Sequence, residues 1–427
     1  MKKYLSFLNF RQKEVPAAVY SVGANFASQG FALLGFLLLV RMLPLAQMGN
    51  WAIWLTVAAI ADMTRQGLVQ NGLVRFICAE KEAYPHWNSA ALVLSTAAGI
   101  VLGGLLTLTV FLYASFAGES GFLSLLFWAF PFFLMQGLVR FAETVQISRQ
   151  DFKGIFWANL FNGSVQLALI AVCFLLDKIP DLDELIVFQM VGALAGLAFS
   201  IVFRKRYFRF GQVQKQRLFA LFQFGKFAAG TNFFSLLFQR LDTLLISIFL
   251  TPALVAIYNV ATRLNGLLDL PLNGLSQALY PQMAEKIAAK SSPQDVYGGG
   301  VNHLLKVQLP LSLLVILFAP QLVEILAGEA YSSAVPLIRI LAIAGLVKPW
   351  GRTFGLFLDA IGNAAFNLKM LLISFATNLL LGLIFLPLFG LLGAAFATGA
   401  GVVLTTAIGQ YFLQKQMAIR PWLLKFS

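Results

Sequence analysis

Charged side chains stand inside stretches of this chain that are otherwise apolar, and their chemistry is the first thing to place. The basic set is Arg65, Lys226, Arg240, Arg263, Lys306, Arg339, Lys348 and Arg352; the acidic set is Asp62, Glu143, Asp242, Asp269 and Asp359. A charge in hydrocarbon is costly, so such groups face a protein interior or a wet cavity, or pair with one another. A guanidinium is a planar fork of donors that matches phosphate and carboxylate, so several arginines around one cavity would bind an anion. Depth sorts the set. Lys226, Lys306 and Arg352 can reach the nearer surface by snorkelling. Arg263 lies about ten residues from the outer end of its stretch, roughly 15 Å at the helical rise; Arg240 and Arg339 lie about eight to ten residues from theirs, and Arg65 near the middle of its own. Arg65 has Asp62 three residues away on the same helical face, and Arg240 has Asp242 nearby, so an ion pair competes there with ligand contact. Arg263 and Arg339 have no evident acid on their own helix. The substrate-binding candidates are therefore Arg65, Arg240, Arg263, Arg339, Lys348 and Arg352. Asp62, Asp242 and Asp269 are either ion-coupling or bracing acids, while Asn25, Gln29 and Asn232 add polar groups to two spans.

Long apolar helices must position these groups. Hydrophobic residues are 59% of the chain and charged residues 11%. A soluble protein carries about a quarter charged residues, so this is an integral membrane protein. A helix needs roughly 20 mostly apolar residues to cross the hydrocarbon. Twelve spans are expected, at 17–41, 47–74, 88–117, 121–146, 155–176, 184–203, 219–250, 253–280, 303–326, 332–358, 364–388 and 391–413. The loops alternate in charge. One side carries Lys2, Lys3, Arg11, Lys13, Arg75, Lys81, Arg149, Lys153, a dense run from Arg204 to Arg217, and Lys415. The other holds little beyond Arg41 and Lys178, and has Glu119, Asp181, Asp183, Glu184 and Glu329. Basic loops stay in the cytoplasm, which places both termini inside and accounts for the net charge of +13 without a nucleic-acid partner. Met1–Lys13 is expected to be a cytoplasmic tail rather than a cleavable signal. Cys78 and Cys173 fall near opposite faces, so no disulfide is expected.

The chain also repeats itself. Gly23-Ala-Asn25-Phe26 matches Gly230-Thr-Asn232-Phe233 at an offset of 207, and Asp62, Gly67, Leu68 and Gln70 match Asp269, Gly274, Leu275 and Gln277. At an offset of 208, Gly-Leu-Val-Arg at 137–140 matches Gly-Leu-Val-Lys at 345–348. An even number of spans per copy keeps both in the same orientation, so a parallel repeat is expected, with an axis along the membrane normal. The expected division is a six-helix lobe over 1–203, a basic cytoplasmic linker at 204–218 and a second six-helix lobe over 219–427. Arg240, Arg263 and Arg352 have Leu33, Thr56 and Thr144 as counterparts, which concentrates cationic chemistry in the second copy.

Enzyme chemistry finds no support. There is no Gly-rich phosphate loop of the G-x-x-x-x-G-K-[ST] type, and no loop is long enough to house a catalytic domain. His86 and His303 share no ligand spacing with a cysteine or carboxylate, so no metal site is expected. Gly298-Gly299-Gly300 reads as a flexible connection after Pro293, and Pro271, Pro281 and Pro349 are expected to kink their helices beside the charges.

Several short motifs carry a resemblance. Phe224-Gly-Lys226, Gln239-Arg240-Leu241-Asp242, Ala256-Ile-Tyr258-Asn-Val-Ala261-Thr-Arg263-Leu264 and Leu279-Tyr280-Pro281-Gln282 are similar to the seventh and eighth helices of polysaccharide (O-antigen) flippases. Arg41-Met-Leu-Pro44, Met48-Gly49-Asn-Trp51 and Gln146-Ile-Ser-Arg149-Gln-Asp-Phe152-Lys153 resemble theirs too. Those flippases belong to a superfamily that also holds multidrug exporters and lipid II flippases. The resemblance implies an all-α membrane fold of about twelve helices in two lobes, in the bacterial cytoplasmic (inner) membrane. It implies a carrier that turns undecaprenyl-diphosphate-linked oligosaccharide between leaflets by alternating access, alongside polysaccharide polymerase or other assembly proteins. Span one has no arginine before Arg41, which departs from the lipid II branch. No cofactor is expected, and coupling to H+ or Na+ through Asp62, Asp242 or Asp269 stays open. Two other readings stand beside this one, a cation-coupled multidrug exporter and a membrane scaffold of a glycan-assembly complex that transports nothing.

Overall fold

A computed structural model describes residues 14–117, 123–361 and 364–419. The expectation for Met1–Lys13 lies outside them. The described residues form helices and no strands: α1 (Glu14–Met42), α2 (Leu45–Ala79), α3 (Tyr84–Ala117), α4 (Leu123–Ser148), α5 (Phe152–Leu175), α6 (Leu182–Phe203), α7 (Lys215–Phe249), α8 (Pro252–Gly266), α9 (Asp269–Ala288), α10 (Pro293–Leu326), α11 (Ala334–Gly345), α12 (Lys348–Ala360) and α13 (Ala364–Met417). These are twelve spans. α8 with α9 is one span, α11 with α12 is another, and α13 is two, separated at Gly390. Gly390 has φ +56°, a conformation that a side chain strains and glycine does not. The protein is therefore an all-α membrane protein of twelve helical spans in two six-span repeats. Six described helices would qualify on length and hydropathy alone, or seven with the bent α11–α12 pair.

Two of the three prolines break their spans as expected. Pro271 sits in the first turn of α9 and Pro349 in the first turn of α12, where the missing N–H stops the preceding helix from continuing. The α11–α12 break bends the span by 45°. Pro281 instead lies within an unbroken α9. The glycine run is a correction. Gly298, Gly299 and Gly300 are inside α10, which starts ten residues before the expected span. A Cβ on Gly300 would stand 2.8 Å from Thr353 Cγ2, so the glycine lets α10 and α12 pack closely. Tyr297 beside it is fully buried and donates to Gln410 Oε1 at 2.6 Å, and so fixes this segment as core.

Two compact units form. The first comprises 1–43 and 54–237, the second 44–53 and 238–427. α2 and α7 therefore each contribute to both. In the first unit α2 crosses α7 at Gly67 and Gly225. A Cβ on Gly67 would lie 2.7 Å from the Ala228 carbonyl oxygen, and one on Gly225 would overlap the carbonyl of Leu68. Small residues at a crossing let backbones approach, the usual means of helix association in lipid. α5 and α6 meet likewise, with Gly192 against the Asn162 carbonyl and Gly196 against that of Ala158, both at 2.7 Å for an added Cβ. Val69, Leu73, Trp87, Phe141, Val145 and Leu221 form a core beside the α2–α7 crossing. The second unit packs Met283, Phe354, Phe357 and Leu413 around Tyr297.

Candidate functional site

Each unit holds one acid between two bases. In the first, Asp62 on α2 pairs with Arg65 one turn along, and its second oxygen accepts from Arg140 Nε on α4 at 2.8 Å. Arg140 also donates to Glu143 at 2.6 Å. Arg65 is 2% exposed, and its Nε and Nη1 have no hydrogen-bond partner among the described residues. Gly137 makes room for it, since a Cβ there would stand 3.1 Å from Nη1. In the second unit, Asp269 opens α9 and faces the start of α12. It accepts from Lys348 Nζ at 2.9 Å and from Arg352 Nη2 at 3.0 Å, and Arg352 also reaches Asn273 Oδ1.

These clusters explain the repeat. Asp62 matches Asp269 and Arg140 matches Lys348 in sequence, and the matched residues make the same contact in each unit, at 2.8 and 2.9 Å. In the sequence Arg140 stands out only as the last residue of a repeated motif. The signal that finds it is present, because one repeated motif begins on the acid, Asp62 or Asp269, and the other ends on the base, Arg140 or Lys348. Three binding candidates, Arg65, Lys348 and Arg352, are thus engaged with carboxylates.

Asp242 and Arg240 do not pair. Two residues apart on a helix, their side chains point to opposite sides. Asp242 on α7 instead accepts from three neutral donors: Thr398 Oγ1 at 2.8 Å, Tyr258 Oη at 3.0 Å and Asn378 Nδ2 at 3.2 Å. Among the described residues no basic side chain pairs with it. Thr398 and Asn378 lie more than 130 residues away on α13, so no local motif announces them. Arg240 has no hydrogen-bond or ion-pair partner among the described residues. It is close enough to Arg263 on α8 for the two charges to act on each other. Arg263 donates to Asn259 Oδ1 at 3.2 Å. Two guanidinium groups thus stand near each other in apolar spans of the second unit.

The remaining candidates scatter. Arg339 on α11 is exposed and donates to the Ile316 carbonyl at 3.2 Å. Asn232 on α7 donates to the Met63 carbonyl of α2 at 2.9 Å, and so reinforces the glycine crossing. Gln29 is exposed on α1, and the side chain of Asn25 lies outside the described set. Beside Glu143 a small, partly open cleft is lined by Gln146, Asn159, Asn162 and Ser200. It offers amides and a carboxylate, with no cation for an anionic ligand.

Comparison with known proteins adds a second line of observation. A family model described as polysaccharide biosynthesis protein matches residues 17–286, and the MatE model matches 228–384. Over 203 residues the chain is 22% identical to a probable low-salt glycan biosynthesis flippase, Agl15, of Haloferax volcanii, covering 47% of this chain and 43% of that protein. Over 208 residues it is 23% identical to the teichuronic acid biosynthesis protein TuaB of Bacillus subtilis, covering 48% and 43%. The match thus spans less than half the length of these relatives. Among solved structures, the lipid II flippase MurJ in an inward closed conformation superposes with a TM-score of 0.72 at 13% identity, covering 93% of this chain and 87% of that one. An inward-facing multidrug resistance MATE transporter of the MOP superfamily gives 0.71 at 13%, covering 94% and 98%. At such identities the likeness speaks for the fold.

Proposed function

The chain belongs to the polysaccharide biosynthesis protein family, and from that premise we propose that it is a flippase for a lipid-linked glycan, the substrate being undecaprenyl-diphosphate-linked oligosaccharide of an O-antigen or other surface polysaccharide. The observation that carries the reading is that Arg240 and Arg263 stand close enough in apolar spans for their two charges to act on each other. A diphosphate offers concentrated negative charge and accepts paired hydrogen bonds from guanidinium forks. The polyprenyl tail stays in lipid while the head crosses by alternating access in the cytoplasmic membrane, with both termini on the cytoplasmic side. Arg339, which lies apart from that pair, is proposed as a further contact along the path of the headgroup. Arg65 braces the first unit internally, Lys348 and Arg352 the second, each through its carboxylate, and they act on substrate only where that pairing opens. Asp242 is the coupling group, because its cage of neutral donors leaves the carboxylate free to take up H+ or Na+.

The test is export of the glycan. Hydrogen bonds to charged groups are worth about 1.5–3 kcal/mol each, so R240Q/R263Q is expected to lower surface glycan at least about a hundredfold. The double variant must reach the membrane at the normal level. Normal glycan under that condition would sink the assignment. D242N is expected to leave transport in reconstituted vesicles indifferent to an imposed H+ or Na+ gradient, and a gradient response as large as that of the unaltered chain would remove Asp242 from coupling. The MatE match over 228–384 favours a second reading, a cation-coupled drug exporter. A deletion strain that becomes drug-sensitive but keeps its surface glycan would select it.

A further inference from the structure

The connection between α6 and α7 is the most basic part of the chain, and it is held in one place. Asn88 Nδ2 of α3 donates to the carbonyls of Tyr207 at 3.0 Å and Arg209 at 3.1 Å. Ser89 Oγ donates to the Gly211 carbonyl at 2.7 Å, and Gly211 N donates to the Pro85 carbonyl at 3.0 Å. A Cβ on Gly211 would stand 2.6 Å from His86 Nδ1, so the segment lies flat on the helix. Ion pairs pin both ends: Arg204 binds Asp151, and Arg217 binds Glu80 at 3.0 Å. Between the pins, Lys205, Arg206, Arg209 and Lys215 are exposed, and none pairs with an acid among the described residues. Phe210 rests on Phe141 with ring centroids 6.1 Å apart, yet is 51% exposed, and Val213 is 52% exposed.

We infer that this strap is a docking surface for anionic lipid headgroups of the leaflet it lies beside. Three features select a lipid over a free phosphate or a soluble acidic partner. The strap continues directly from Phe203, the end of a span, and it lies on the first turns of α3, another span. Asn88 and Ser89 are about 6–8 Å from the start of α3 at the helical rise, which is headgroup depth. Exposed Phe210 and Val213 among the cations suit a boundary between hydrocarbon and phosphate better than open water. Basic residues fixed at that depth attract acidic lipids in proportion to their number. The inference does not depend on which substrate is carried.

The full chain, in nanodiscs of phosphatidylglycerol and phosphatidylcholine, is the material to test. Lipid bound to the protein is compared with bulk composition for the unaltered chain, for K205Q/R206Q/R209Q/K215Q, and for K286Q/K290Q/K369Q/K415Q as a charge-matched control. Phosphatidylglycerol is expected to be enriched around the unaltered chain, and its apparent affinity to fall about tenfold or more in the strap variant, with a smaller change in the control. Equal retention in all three, or equal loss in the two variants, would overturn the inference and return the strap to an acidic protein partner. If the fourfold variant is not monodisperse, R209E/K215E replaces it, read by the same two outcomes.

Discussion

Asp62→Ala is expected to destabilise the protein by about 3–5 kcal/mol, the usual cost of stripping the partner from a buried ion pair. Arg65 is 2% exposed and already has two nitrogens without hydrogen bonds, and Glu143, the other carboxylate acting on it, is already engaged by Arg140. Arg140 keeps Glu143, and the loss therefore falls on Arg65. Thermal unfolding in detergent, followed by size exclusion, measures it. Arg65→Met on the same background should recover most of the loss, since an apolar side chain of similar length removes the stranded charge. The equivalent change in the second unit, Asp269→Ala, should cost less. Lys348 and Arg352 are 22% and 29% exposed, so neither would be stranded as fully as Arg65. Unaltered unfolding of Asp62→Ala would take the bracing role from this cluster and return Arg65 to the ligand candidates.

Gly225→Val is expected to leave little or no monodisperse protein. The obstacle is the Leu68 backbone carbonyl, which no rotamer change can move, so the whole α2–α7 crossing must open. Overpacking a core commonly costs about 1–3 kcal/mol, and a clash with backbone belongs above that range. Gly230→Ala, five residues along the same helix, is the control. A Cβ there meets nothing within 4 Å, and alanine is the better helix former by about 1 kcal/mol. Gly230 belongs to the repeated motif and Gly225 does not, so repetition in sequence and steric need part company at this helix. A wild-type elution profile for Gly225→Val would show that the crossing is not tight in solution.

The spans were legible because hydrocarbon thickness imposes length and apolarity on every one of them. Their ends were less so. α10 begins at Pro293 because Tyr297 and Gly300 are core against α12, a contact that local composition cannot announce. The Asp62–Arg65 pair could be read from a three-residue spacing, whereas the ion pair expected between Arg240 and Asp242 does not form, because a two-residue spacing sets the side chains on opposite sides of α7. The cage around Asp242 draws on α8 and α13, and its members have no spacing to betray them. Arg140 lay in plain view within the repeated motif, but it joins Asp62 only when the two repeat offsets are read as one interface.

The sharing of α2 and α7 between the units constrains biogenesis. The first unit is incomplete until Leu221 and Gly225 have been made, and the second uses residues 44–53, inserted near the start of synthesis. Gly49, whose added Cβ would overlap the Pro252 carbonyl, must wait some two hundred residues for its neighbour. A gene cut at the strap would therefore not yield two self-sufficient products. The first would lack the helix that fills its core, and the second would lack the segment that seats α8. Whatever duplication produced the repeat, its copies now depend on each other to mature, and insertion has to hold the early spans unfinished until the seventh and eighth arrive.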